Sequence, residues 1–116
     1  MQRRHVVDAF INLLQNAREA LDGKEGNIFI AAQCRSDYAI EVSIRDDGPG
    51  IAPDKQGRIF EAYYTTKEKG TGIGLATVKH NLEVYGGNVR VESELGKGAR
   101  FILLFPGRTV INSVTS

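Results

Sequence analysis

Two glycine-punctuated turns bracket residues 46–75 and restrict this chain more than any other feature. The first reads Asp46-Asp47-Gly48-Pro49-Gly50-Ile51, the second Gly70-Thr71-Gly72-Ile73-Gly74-Leu75. Each is a short turn that lets backbone come close to a ligand, because glycine carries no Cβ and tolerates φ > 0. A polar loop with Thr65-Thr66-Lys67 lies between them. The remaining residues must supply a scaffold that brings the two ends together.

That scaffold is one domain. A chain of 116 residues buries a real core without needing a second unit. Residues 1–107 are expected to form the domain, and 108–116 a tail without a packing pattern. For the tail, disorder, an added edge strand and an appended non-native stretch stay open. A net charge of +1 gives no electrostatic reason to expect a nucleic-acid or membrane partner. No apolar run is long enough to span a bilayer, and the N-terminus lacks an apolar signal core. The single cysteine, Cys34, excludes an internal disulfide and fits a reducing compartment, and the chain is expected to be cytoplasmic. Lying in a strand-like run, it is expected to be a small buried hydrophobe.

The periodicities predict two helices and two hairpins. Over residues 2–22, Val6, Phe10, Leu13, Ala17 and Leu21 recur at three- and four-residue spacing, with Val7 and Leu14 beside them. Gly23 is placed to end that helix in a left-handed conformation. Residues 27–34 and 39–45 are strand-like and joined by a turn at Ser36-Asp37. In the second strand, Ile40, Val42 and Ile44 alternate with Glu41, Ser43 and Arg45, so one face is expected buried and the other polar. Residues 55–60 suit a short helix with Ile59 and Phe60 packed inward. Tyr63 and Tyr64 read as core or lid packing, and Glu68-Lys69-Gly70, without an apolar anchor, as mobile. Residues 72–85 form the second long helix through Leu75, Val78, Leu82 and Tyr85, stopped by Gly86-Gly87. Residues 88–93 and 99–105 form the second hairpin.

Three local features carry chemistry, each with a bland alternative. Asn12, Asn16 and Glu19 share a helix face away from the apolar stripe. Asparagine is a poor helix former, so two of them one turn apart ask for a role, although a solvated polar face would also hold them. Asp46 at a strand end, followed by Gly-x-Gly, would face a cleft or merely make a surface turn. The glycine-rich start of the second helix offers N–H groups to an anion such as phosphate, or is only a flexible junction. Taken together they read as a nucleotide pocket, with a base at one end, phosphate at the other and a lid between. His5 and His80 have no partner acid or metal-like spacing and read as structural or solvated.

The order of these motifs resembles the catalytic and ATP-binding domain of bacterial sensor histidine kinases, within the gyrase–chaperone–kinase–mismatch-repair ATPase superfamily. The likeness covers residues 6–106. The segment 11–17, with Asn12 and Asn16, resembles the N box, and 46–51 the first glycine box. Residues 59–67 resemble the F box, 70–75 the second glycine box, and 96–101 the closing glycine-containing hairpin. This resemblance implies an α/β fold, a two-layer sandwich (the Bergerat ATP-binding fold) whose mixed, mostly antiparallel sheet is covered on one face by helices. It implies ATP and Mg²⁺ as ligands. Asp46 would accept a hydrogen bond from the adenine amino group, which selects against guanine, whose oxygen there is an acceptor. Asn16 would give its amide oxygen to Mg²⁺, an ion that prefers oxygen ligands. Asn12 would lie beside the phosphates, and both asparagines count as catalytic. Gly48, Gly50 and Ile51 would complete the base end. Tyr64, Thr65, Thr66 and Lys67 would line the lid, and Gly70, Thr71, Gly72, Ile73, Gly74 and Leu75 would meet the phosphate chain.

Three departures from the family pattern stand out. Ala62 replaces the usual proline of the F box, with Tyr63-Tyr64 for the common Phe-Phe. Asp47 replaces the more common asparagine and is tolerable where it faces solvent. The usual preceding strand and the helical dimerisation segment with the phosphoacceptor histidine are absent, so the chain reads as an excised, N-terminally truncated domain. The implied activity is transfer of the ATP γ-phosphate to a histidine on that separate domain, in two-component signalling that leads indirectly to a response regulator. Alone, the chain is expected to be a monomer with little turnover and no membrane contact of its own, the parent kinase being free to carry an anchor. The alternatives are an anti-sigma-type protein serine kinase, a hydrolase of the gyrase or chaperone type, and a nucleotide-binding module without catalysis. The hydrolase relatives place a glutamate where Asn12 stands, and asparagine cannot take the proton of an attacking water.

Overall fold

The computed structural model describes residues 3–35, 38–61 and 74–106. Helix α1 (Arg3–Leu21) buries Ala9, Leu13 and Ala17 along one line. These sit four residues apart, so they stack on one face of the helix. Val6, Phe10, Leu14 and Leu21 flank that line half-buried, whereas Val7 is 47% exposed. The buried row is therefore narrower than the apolar stripe of the sequence, and two alanines in it let the helix lie close to the sheet. Asp22 and Gly23, both at positive φ, end the helix.

Strands β1 (Ile28–Cys34) and β2 (Ile40–Asp46) pair antiparallel. After the short helix α2 (Pro53–Gln56) and helix α3 (Gly74–Val84) come β3 (Asn88–Ser93) and β4 (Ala99–Phe105). The sheet order is β1-β2-β4-β3, and every described pair is antiparallel. The helix α3 ends in a Schellman-type cap: the Gly86 N–H donates to Glu83 O and the Gly87 N–H to Leu82 O. Gly86 at φ +82° permits it.

The helices cover one face of the sheet. Leu13, Val78 and Leu82 meet Ile44, Val89, Phe101 and Leu103 in one apolar cluster, with Ile59 and Phe60 packed on its margin. Phe60 meets Phe101 edge to face, ring centres 6.1 Å apart. The inward packing expected of Ile59 and Phe60 holds, although the helical turn lies earlier, at 53–56, where Pro53 suits the first turn. On the other face Arg90 pairs with Glu41 and Glu92, and Arg100 with Glu92. The Arg45 guanidinium stacks over the Phe29 ring at 4.4 Å.

Two expectations are corrected. Cys34 is exposed, because it ends an edge strand all seven of whose residues are exposed. The inside–outside alternation of β2 is imperfect: Ser43 is buried beside Val42 and Ile44, while Ile40 at the strand start is 40% exposed. The Ser36-Asp37 turn, Tyr63, residues 68–70 and the tail 108–116 lie outside the described residues.

Candidate functional site

The strand β2 runs one residue further than its hydrophobic alternation suggests and so includes Asp46. In register, Asp46 pairs with Ile28 on one side and Ala99 on the other, and Ala99 pairs with Ser93. The side chains of one such row point to one face. Alternation with Ile44 puts Asp46 on the helix-covered face, at its end. Its carboxylate is 1% exposed, and Oδ1 accepts a hydrogen bond of 2.8 Å from the Gly48 N–H. A buried carboxylate requires such donors.

The turn that follows is held from three sides. A Cβ on Gly48 would stand 3.0 Å from the Ala20 carbonyl oxygen of α1. A Cβ on Gly50, at φ +80°, would collide with the Glu94 carbonyl oxygen in the β3–β4 turn. The Ile51 N–H donates to Ser93 Oγ at 2.8 Å. Glycine at these two positions permits close packing within the protein, of Gly48 on the Asp46 carboxylate and the Ala20 carbonyl and of Gly50 on the Glu94 backbone. Ile51 also lies against the core cluster. Asp47 is exposed and accepts hydrogen bonds from the backbone and side-chain nitrogens of Asn27, at 3.2 and 3.1 Å. An acidic residue is thereby accommodated at the surface.

The two asparagines flank the buried row of α1 and are half-buried. A Cβ on Gly74 would meet Asn12 Oδ1 at 3.2 Å, so the start of α3 lies against Asn12. Asn12, Asn16 and Ala20 follow at four-residue spacing along one side of α1. Ala20 faces the turn after β2 and Asn12 faces α3, a separation of roughly 12 Å along the helix. Glu19, grouped with the asparagines by angle, is exposed. Leu75 is half-buried against the core. Thus one side of α1, from Asn12 through Asn16 to Ala20, meets the start of α3 at Gly74 and the turn after β2, which carries Asp46, Gly48, Gly50 and Ile51, at Gly48. Tyr64, Thr65, Thr66, Lys67, Gly70, Thr71, Gly72 and Ile73 lie outside the described residues.

Sequence reasoning missed Ser93, Gln56 and Ala20, all of which fix the turn after β2 through contacts. A serine ending a strand and an alanine in a helix carry no signal of a partner so far along the chain.

The donor set suits a nucleotide with its metal. Asp46 offers a buried acceptor at one end and Asn12 and Asn16 neutral amides at the other. Among the described residues no group of three or more His, Cys, Asp or Glu side chains could hold a metal. A hard cation bound here would complete its shell with phosphate oxygens and water.

Comparison with known proteins gives the family. Residues 1–109 match the family model of the histidine kinase-, DNA gyrase B- and HSP90-like ATPases. Sporulation kinase E of Bacillus subtilis (strain 168) is 43% identical over 100 residues, which cover 85% of this chain and 13% of that protein. The mycobacterial sensor histidine kinase MprB superposes with a TM-score of 0.83 at 26% identity, over 92% of this chain and 75% of that one. Full-length ShkA in complex with AMPPNP superposes with a TM-score of 0.79 at 35% identity, over 88% of this chain and 21% of that one. The chain spans about an eighth to a fifth of the curated relatives it matches. No helix among the described residues is long and apolar enough to cross a membrane. On its sheet order, its covered face and these likenesses, the chain belongs to the histidine kinase-, DNA gyrase B- and HSP90-like ATPase family.

Proposed function

We propose that this chain binds Mg·ATP between α1, the turn after β2 and the start of α3, and presents the γ-phosphate to a histidine on a separate dimerisation domain. The observation that carries the reading is Asp46, a carboxylate 1% exposed at a strand end beside a glycine turn. Such a group accepts a hydrogen bond from an adenine amino group and repels the oxygen that guanine presents at that position. Gly48, Gly50 and Ile51 keep the turn in shape around it.

The other end of the site suits phosphate. In this reading Asn12 lies beside the phosphate chain and Asn16 gives its amide oxygen to Mg²⁺. When bound, Mg²⁺ neutralises phosphate charge and keeps oxygen ligands. By the same resemblance Tyr64, Thr65, Thr66, Lys67 and the segment from Gly70 to Leu75 would also bind the nucleotide, Lys67 by neutralising phosphate charge and Thr71 by donating its hydroxyl. The protein's part in the transfer is positioning and charge neutralisation. Asn12 stands where the hydrolase relatives place a glutamate and cannot take the proton of an attacking water, and Glu19 lies nearly two turns further along α1 and is exposed, which disfavours the hydrolase alternative. The nucleotide analogue bound by ShkA and the sensor kinases among the relatives support the kinase reading.

Asp46→Asn is the direct test. Asparagine keeps an acceptor for the Gly48 amide but can turn a donor toward the adenine amino group. Titration calorimetry should show ATP binding abolished in the folded variant. Unaltered affinity would remove the base-recognition role. Mixing the wild-type chain with a histidine-bearing helical hairpin should yield an acid-labile phosphate, whereas acid-stable phosphoserine would favour the serine-kinase alternative.

A further inference from the structure

We propose that Ser93 and Gln56 are positioning residues for base recognition. They lock the turn that carries Asp46 onto the β3–β4 turn, and so set where the carboxylate meets the base. The proposal rests on the reading of Asp46 given above.

The register shows why a lock is needed. Asp46, Ala99 and Ser93 occupy one row across β2, β4 and β3. The turn from Asp46 to Ile51 must therefore arch over the first residue of β4 to reach β3, a span of two strand spacings, about 10 Å. Nothing in a bare glycine turn holds such an arch, since glycine and its neighbours have many other conformations.

Ser93 closes it. Its hydroxyl accepts from the Ile51 N–H at 2.8 Å and donates to the Gly98 carbonyl at 2.7 Å. One side chain thus ties the far end of the arch to the residue before β4. Gln56, at the end of α2, donates through Nε2 to Ile51 O at 2.8 Å and to Ser93 O at 3.0 Å. The Gly96 N–H adds a bond of 2.7 Å to Pro49 O. Underneath, a Cβ on Gly98 would collide with the Asp46 carbonyl oxygen, so the two turns are in backbone contact at the residue that matters. The network ties the hairpin to the arch at Pro49 and Ile51, and the arch begins at the carboxylate.

The test compares Ser93→Ala, Ser93→Thr and Gln56→Ala with wild type in ADP and GDP binding and in amide hydrogen exchange at Ile51. Losing this hydroxyl should weaken ADP binding roughly five- to tenfold, from the usual worth of such hydrogen bonds. The ADP-to-GDP affinity ratio should fall as well, and the Ile51 amide should exchange faster while the Ile44 and Phe101 amides stay protected. Ser93→Thr, which keeps a hydroxyl, should restore all three readings. Gln56→Ala should show a smaller loss of the same kind, and it keeps the test alive should Ser93→Ala fail to fold. Unchanged ADP affinity, or an equal loss for ADP and GDP, would overturn the proposal by leaving Ser93 a merely structural role. Asp46→Asn run alongside separates the levels. If it binds ADP like wild type, the base-recognition reading falls and the proposal with it. If it abolishes binding while Ser93→Ala is silent, only the proposal falls.

Discussion

The strands β1 and β4 carry comparable apolar runs, Ile28-Phe29-Ile30-Ala31-Ala32 and Phe101-Ile102-Leu103-Leu104-Phe105. Yet Leu103 is fully buried and Ile30 keeps 59% of its surface exposed. The two residues face the same side: Ile30 is in line with Ile44 and Phe101, and Leu103 with Val42 and Val89. What differs is the neighbourhood. The strand β4 has a partner on each side and lies within the cluster that α1 and α3 build, whereas β1 has β2 on one side. Apolar sequence decides that a strand forms; its place in the sheet decides how much that apolarity contributes to stability.

The largest effect should come from truncating the covered strand. Phe101→Ala removes a ring from the centre of the cluster, where Phe60 and the helices cannot close the gap, at a cost of about 3–5 kcal/mol. Ile30→Ala, on the same face one row-mate away, should cost under ~1 kcal/mol. Urea unfolding of both variants checks the pair. Similar losses would mean that β1 is as well covered as β4, and the contrast would be gone.

A second pair sharpens the comparison at the turn. Gly96 and Gly98 both adopt positive φ, +82° and +81°. A Cβ on Gly96 meets nothing within 4 Å, while one on Gly98 meets the Asp46 carbonyl oxygen. Gly96→Ala should therefore cost only the backbone strain, about 1–2 kcal/mol. Gly98→Ala should add overpacking of roughly 1–3 kcal/mol to it. Melting curves give the difference, and calorimetry with ATP should show that the Gly98 variant alone loses affinity. Equal costs would mean that the two turns are not in contact.

The pattern of these effects follows what could be read from the chain. Among the described residues both long helices, the four strands and the β3–β4 turn are legible, because their apolar periods are long and glycines mark their ends. The left-handed Gly23 and the stop at Gly86-Gly87 follow from the same rule. The proximity of Asn12 to Gly74 follows from no local rule; it needs α1 and α3 to be neighbours. The burial of Asp46 was hidden because a strand end and a surface turn share the same residues. The hydroxyl of Ser93 was hidden because its partner Ile51 lies 42 residues away. The exposure of Cys34 escaped for the opposite reason, since composition alone makes an edge strand look like a central one.

Cys34 gives the smallest effect and the most direct view of that edge. Its Sγ lies at the end of β1, 3.7 Å from the Arg35 carbonyl, in an exposed residue. A thiol so placed should react with a maleimide in the folded chain at a rate within about tenfold of the chain in denaturant. A buried thiol reacts only through opening of the structure, and so orders of magnitude more slowly in a stable domain. The attached group should change stability by no more than about 0.5 kcal/mol, since it meets solvent. Protection of the thiol in the native chain would show the end of β1 covered, and the difference between the two strands would then be one of degree.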